Sequence, residues 1–252
     1  RESAFLGFSC GLFFFGITLF WITTLSEYVG FWGYAAWLGL IIYQSLFILL
    51  FCFILKLINF SKCEILIVPI LWVTLEWLRS LGPYGVTAGD LGYSQCSLLP
   101  LIQIASFTSV YGISFLIVLV NTALAQILIK RGRREWGLAA FVLATLILVY
   151  IYGQRELQAS SPLTSLSPIK LAIIQPNIDQ KTKLNYGKSN EIFNIHFEMS
   201  EEALKSKPDI IIWPESSVLF YLLHDKHFEE IKKLAVSEKV WFLIGTPHYE
   251  YI

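Results

Sequence analysis

Residues 208–218 read PDIIIWPESSV, and this stretch carries the clearest structural signal in the sequence. Residues 209–213 form a short apolar run with β-branched side chains, which is typical of a strand buried on both faces. Pro214 lacks an N–H group and ends the strand, so Glu215 stands where the chain turns. Ligands of α/β folds commonly bind at this edge of the sheet. Glu215 is therefore either a functional carboxylate or an exposed acidic turn residue, and the spacing alone leaves both open.

The neighbouring sequence predicts the beginning of an α/β domain over residues 169–252. Residues 170–174 and 240–245 are expected to form two further strands. Apolar residues recur at helical spacing in residues 189–205 and 228–237. The order strand, helix, strand, helix, strand predicts a largely parallel sheet, because parallel strands need a crossover connection between them.

The composition excludes an ordinary soluble protein. Of the 252 residues, 55% are hydrophobic and only 15% are charged, against about 25% charged in soluble domains. The net charge is zero, so nothing favours a nucleic-acid partner. No disulfide framework, metal site or cofactor is expected, because the cysteines and histidines share no ligand spacing. These residues are Cys10, Cys52, Cys63, Cys96, His196, His224, His227 and His248.

Residues 1–153 predict a multi-pass α-helical transmembrane region. A span must cross a hydrocarbon core of about 30 Å, and five apolar segments are long enough: 4–25, 33–55, 65–81, 107–129 and 136–152. Gly7, Gly11 and Gly16 predict close helix packing along the first segment. Residues 82–106 are rich in glycine and proline yet apolar, which predicts a partly embedded loop on the outer face.

The basic residues predict the orientation. Lys56, Lys62 and the cluster at 130–134 mark the cytoplasmic side under the positive-inside rule. Five spans then place the α/β domain on the extracytoplasmic side, after a serine- and proline-rich linker at residues 154–168.

Glu76 and Arg79 are two ionisable residues inside the third predicted span. They are three positions apart, so they can pair with each other, and Arg79 can also extend to the membrane surface. The alternative is that they contact a lipid headgroup or substrate.

Several stretches together resemble the apolipoprotein N-acyltransferases, membrane enzymes of the nitrilase superfamily. They are LWVTLEWLRS (71–80), LGYSQ (91–95), IKLAIIQPNI (169–178), PDIIIWPESS (208–217) and FLIGTPHYE (242–250). The resemblance implies a nitrilase-like αββα sandwich on eight transmembrane helices. It also implies a bacterial inner-membrane protein whose catalytic domain lies on the periplasmic face.

The same resemblance implies a Glu–Lys–Cys triad in which Glu215 is the general base. The family reaction moves an acyl chain from a phospholipid to the N-terminal cysteine amine of an apolipoprotein, through a cysteine thioester. The implied partners are thus a phospholipid donor, an apolipoprotein acceptor and membrane lipid. Candidates for substrate contact are Glu76, Arg79, Tyr93, Gln175 and Asn177.

The sequence also departs from the family pattern. The family's lysine and cysteine follow the equivalent of Gly245, and no cysteine follows Cys96 here. We therefore expect a fragment truncated at both ends, inactive by itself. Leu184 stands where the family usually has a tryptophan, and VTAGD (86–90) replaces usual aromatic residues. Two other functions stay open: a membrane-anchored nitrilase-type amidase acting on a small amide, and a non-catalytic interaction module.

Overall fold

The computed structural model describes residues 2–58, 64–83, 85–130, 132–159 and 167–247. The chain divides into two compact units, Arg1–Leu163 and Thr164–Ile252. The first is helical and the second is an α/β unit, which confirms the predicted fold class of an apolar helical region followed by the start of an α/β domain.

The first unit is built from apolar helices. They are α1 (Glu2–Thr18), α2 (Ser26–Val29), α3 (Phe31–Leu57), α4 (Glu64–Arg79), α5 (Leu99–Ile102), α6 (Ala105–Lys130) and α7 (Arg133–Ala159). Short 3₁₀ helices cover Phe20–Leu25 and Leu91–Gln95. Within the described residues, three helices, α3, α6 and α7, are long and apolar enough to cross a membrane. The pair Glu2–Thr18 and Phe20–Val29 would make a fourth, bent by 56°.

Two predicted segments differ in detail from the helices that cover them. The predicted span at 65–81 corresponds to α4, which has 16 residues and contains Pro69. Helix α7 continues to Ala159, six residues into the predicted linker at 154–168. The reason is local: residues 154–158 read QRELQ, and all five are good helix formers.

Close packing of α1 against α3 depends on two of the three glycines identified in the sequence. A Cβ atom on Gly7 would lie 2.9 Å from Cys52 Cβ, and one on Gly11 would lie 2.8 Å from Ser45 Cα. Contacts this short exclude a side chain, so the two helix backbones meet directly. A Cβ atom on Gly16 would meet no atom of the described residues within 4 Å, so the prediction was wrong there.

The second unit contains a three-stranded parallel sheet. Its elements are β1 (Leu171–Ile173), α8 (Gln180–Lys183), α9 (Ser189–Leu204), β2 (Ile210–Ile212), α10 (His227–Glu238) and β3 (Trp241–Leu243). The strand order is β1-β2-β3, and Ile212 pairs with Ile173 on one side and Leu243 on the other. The predicted parallel sheet is confirmed.

One face of this sheet packs on the helices and the other is open. Ile211 and Trp213 are buried with Phe193 of α9 and Ile231 of α10 in one apolar core. Side chains alternate between the two faces of a sheet along each strand, so the residues next to Ile211 and Trp213 in the chain point to the opposite face. On that opposite face the outer strands expose large apolar side chains: Leu171, Ile173, Trp241 and Leu243. The prediction of a strand packed on both faces was therefore wrong for the described residues, because α9 and α10 cover the same face.

Candidate functional site

Glu215 lies in an exposed turn at the carboxyl end of β2. Residues 214–217, which we call the Glu215 turn, follow the buried Trp213 directly. The Trp213 indole N–H donates to Ser200 Oγ at 2.8 Å, which anchors the strand end to α9. Ser216 has a φ of 50°, so the turn reverses sharply after Glu215. The side chain of Glu215 is thus presented to solvent from a fixed strand end.

The segment after β3 holds the other end of the turn. Gly245 O accepts two hydrogen bonds from Ser217, one from its N–H at 3.1 Å and one from its hydroxyl at 3.0 Å. A Cβ atom on Gly245 would lie 2.9 Å from Glu215 Cα and 3.1 Å from Pro214 O. Only glycine allows so close an approach, so Gly245 and Ser217 together fix the backbone that carries Glu215.

Lys183, which sequence reasoning did not select, contacts the turn from a third side. Its ammonium group donates to the Glu215 backbone carbonyl at 3.1 Å. Lys183 ends the short helix α8, whose N-cap, Asp179, accepts from the backbone N–H groups of Lys181 and Thr182. Hydrogen bonds from Thr182 hold the pKa of Asp179 below its ordinary value, so the cap stays ionised at neutral pH. The cap therefore fixes the helix that delivers Lys183.

Gln175 and Asn177, predicted as substrate-side residues, lie with the turn around one cavity. This cavity, which we call the β1–β2 cleft, has a volume of about 170 Å³. Its lining includes Gln175, Asn177, Lys183, His196, Pro214 and Ser217. They meet because parallel strands end at the same edge of a sheet, which brings together the segments after β1 and β2.

His196 is the buried polar side chain of this cleft, and only 2% of it is exposed. Its Nδ1 lies 2.8 Å from the Ile192 carbonyl oxygen of the same helix, so Nδ1 carries the proton that this bond requires. Burial lowers the pKa of His196, and the nearby Lys183 ammonium lowers it further. The ring is therefore neutral at pH 7. Its Nε2 atom is a buried acceptor with no partner among the described residues.

Glu76 and Arg79 take part in a buried cluster in the first unit. Arg79 forms an ion pair with Asp90, and both side chains are almost completely buried. The predicted Glu76–Arg79 pair is not among the ion pairs of the described residues. Instead, Glu76 Oε1 accepts from the Trp72 indole at 2.8 Å and from the Leu91 N–H at 3.0 Å. Arg79 does not extend to the surface either, because its guanidinium lies over the Phe15 ring.

Arg79 and Glu76 thus hold Asp90 and Leu91, at the start of the 3₁₀ helix, against α4. Tyr93, the remaining candidate, lies in that 3₁₀ helix with 55% of its side chain exposed. Of the candidates in this unit, Tyr93 is open to a ligand, whereas Glu76 and Arg79 are enclosed by protein.

Comparison with known proteins identifies the family. A profile described as the apolipoprotein N-acyltransferase N-terminal domain matches residues 1–123. A Geobacter metallireducens protein named apolipoprotein N-acyltransferase is 34% identical, over 99% of this chain and 50% of its own length. The chain belongs to the apolipoprotein N-acyltransferase family.

Further family members are similar over most of the chain. Apolipoprotein N-acyltransferase of Rickettsia prowazekii is 28% identical over 87% of the chain and 44% of its own length. Apolipoprotein N-acyltransferase 1 of Treponema denticola is 29% identical over 82% and 41%. The chain thus spans about half the length, or less, of these family members.

Sequence reasoning missed three residues of the Glu215 turn and the β1–β2 cleft: Lys183, His196 and Ser217. Ser217 had a usable signal, since it stands two positions after Glu215 in the quoted motif. Lys183 and His196 lie on helices. The sequence of a helix does not show which of its side chains will pack against the ends of the strands.

Proposed function

We propose that this chain supplies the membrane region and the Glu215 turn of an enzyme that transfers an acyl chain from a phospholipid to the N-terminal amine of an apolipoprotein. The observation that carries the proposal is a carboxylate presented by a rigid turn at the carboxyl end of a parallel strand. Family membership and the apolar helices support it. On this proposal the α/β unit is the first part of a nitrilase-like domain.

In the proposed reaction Glu215 acts as the general base for a cysteine thiol. The thiol proton passes to Glu215 as sulfur attacks the ester carbonyl, and the ester C–O bond breaks. The departing lysophospholipid oxygen takes the proton back from Glu215. The acceptor amine then attacks the thioester, the C–S bond breaks, and the amine's proton returns to sulfur. The proposal places this cysteine, and a lysine that stabilises the oxyanion, in the part of the family members that this chain does not match.

The proposed location is the bacterial inner membrane, with the α/β unit on the periplasmic face. The distribution of Lys and Arg supports it. In a background with the native cysteines changed to serine, a cysteine introduced at position 132 should be protected from a membrane-impermeant thiol reagent in intact cells. One introduced at position 168 should be labelled. Labelling at 132 with protection at 168 would reverse the orientation.

A chimaera tests the reaction. Residues 1–247 are joined to the following part of the Geobacter metallireducens protein and purified in detergent. The substrates are a phospholipid with a radiolabelled acyl chain and a peptide that begins with diacylglyceryl-cysteine. We expect the label to appear in the peptide as an amide, with the intact Geobacter protein as the positive control.

Two results would contradict the proposal. Release of the label as free fatty acid, without labelled peptide, would show that the chimaera hydrolyses its substrate. This result would favour the hypothesis of a nitrilase-type amidase. Absence of any acyl adduct, while the Geobacter protein forms one under the same conditions, would show that this chain does not supply a working base.

A further inference from the structure

The β1–β2 cleft combines two groups with opposite hydrogen-bonding needs. His196 Nε2 is a neutral, buried acceptor that requires a donor. Lys183 carries three N–H donors, and its bond to the Glu215 carbonyl uses one of them. A buried acceptor left unpaired destabilises the protein, so a ligand that supplies the missing donor is favoured on binding.

The chemistry of the cleft excludes simple ions. No carboxylate is among the described residues that line it, and the Lys183 ammonium would repel a cation. A fully ionised anion would pair with Lys183 but has no proton to donate to His196. A neutral group that offers an acceptor and a donor close together satisfies both side chains.

We propose that the β1–β2 cleft binds a secondary carboxamide, the group that forms a peptide bond. Its carbonyl oxygen accepts from Lys183, and its N–H donates to His196 Nε2. The volume of about 170 Å³ admits a small polar group rather than a whole lipid. Gln175 and Asn177, which carry both donors and acceptors, border the same space.

The amide can come from a polypeptide or from a small free amide. We assign it to the backbone of the polypeptide acceptor, and this assignment alone rests on the proposed function. The cleft includes Pro214 and Ser217 of the Glu215 turn, so an occupant lies beside the proposed base.

Nuclear magnetic resonance of the 252-residue chain in detergent micelles tests the proposal. With ¹⁵N-labelled histidine, the Nε2 resonance of His196 should move and saturate as N-methylacetamide is added. N,N-dimethylacetamide has the same carbonyl but no N–H, and it should leave the resonance in place. The exposed His224 serves as an internal reference.

Variants separate the two contacts. His196→Phe should abolish binding. Because this variant lacks the His196 resonance, its binding is followed by the backbone amide resonance of ¹⁵N-labelled Ser217, which borders the same cleft. Lys183→Met should weaken binding about tenfold, the value of one hydrogen bond to a charged group. Lys181→Met is the matched control on the same helix, because Lys181 is exposed, and it should bind like the unchanged chain. Lys183 is only partly buried, so its variant reports on the cleft even if His196→Phe does not fold.

Three results would overturn the proposal. They are an equal response to both acetamides, a response to inorganic phosphate alone, or equal binding by Lys183→Met and Lys181→Met. A blocked trialanine peptide that binds at least tenfold tighter than N-methylacetamide would assign the cleft to a polypeptide. A gain in affinity of less than tenfold would overturn that assignment. None of these measurements involves turnover, so they stand whether or not the chimaera transfers acyl chains.

Discussion

Glu215→Gln is expected to slow acyl-enzyme formation in the chimaera by about 10²–10⁴-fold, the usual contribution of a general base. Glutamine keeps the shape of the side chain but cannot take a proton from a thiol. The turn itself should not move, because Ser217 and Lys183 hold it through backbone atoms. Mass spectrometry of the acyl adduct on the reactive cysteine, sampled over time, gives the rate.

The matched control is Glu201→Gln, which changes an exposed carboxylate on α9 in the same way. It should form the adduct at the unchanged rate. An adduct that forms equally fast in Glu215→Gln would remove Glu215 from the mechanism. It would leave Glu215 as the exposed turn residue that the spacing also allowed.

The elements around Glu215 were predictable because their signals are local. An apolar β-branched run closed by Pro214 identifies a strand end, and the alternation of strands with helices predicts parallel pairing. Both are confirmed by the structure. The open face of the sheet was not predictable in the same way. A continuous apolar run looks alike whether one face or both faces of the strand are covered.

The contacts that define the cleft depend on tertiary packing. Lys183 and the Glu215 carbonyl are 32 positions apart in the chain. His196 would be an ordinary helical histidine by spacing. Its bond to Ile192 satisfies one ring nitrogen, and only the surrounding packing leaves the other without a partner. The sequence pattern predicts the helix, but it does not predict that one ring nitrogen of His196 is left without a partner.

The charged cluster shows how a spacing rule can select the wrong partner. Glu76 and Arg79 are correctly spaced to pair along a helix, but Asp90 is brought to Arg79 by a loop rich in glycine. Local spacing favoured the neighbour three positions away. The loop provides the carboxylate of Asp90, which is completely buried. A buried carboxylate needs the arginine charge more than an exposed one does, because water cannot solvate it.

Arg79→Met should therefore lower the free energy of unfolding by about 3–5 kcal/mol, the cost of leaving a buried charge without its partner. Methionine fills much of the same volume but leaves Asp90 unpaired, and the Asp90 side chain is 0% exposed. Unfolding of the chain in detergent micelles, titrated with sodium dodecyl sulfate and followed by circular dichroism, gives the change.

Lys130→Met is the matched control, because Lys130 and Glu64 form an ion pair in the same unit but are 44% and 23% exposed. Its loss should cost less than about 1 kcal/mol. The double variant Arg79→Met/Asp90→Leu should recover most of the lost stability, since an apolar pair replaces the stranded charge. If Arg79→Met costs no more than Lys130→Met, the Arg79–Asp90 pair does not hold the loop.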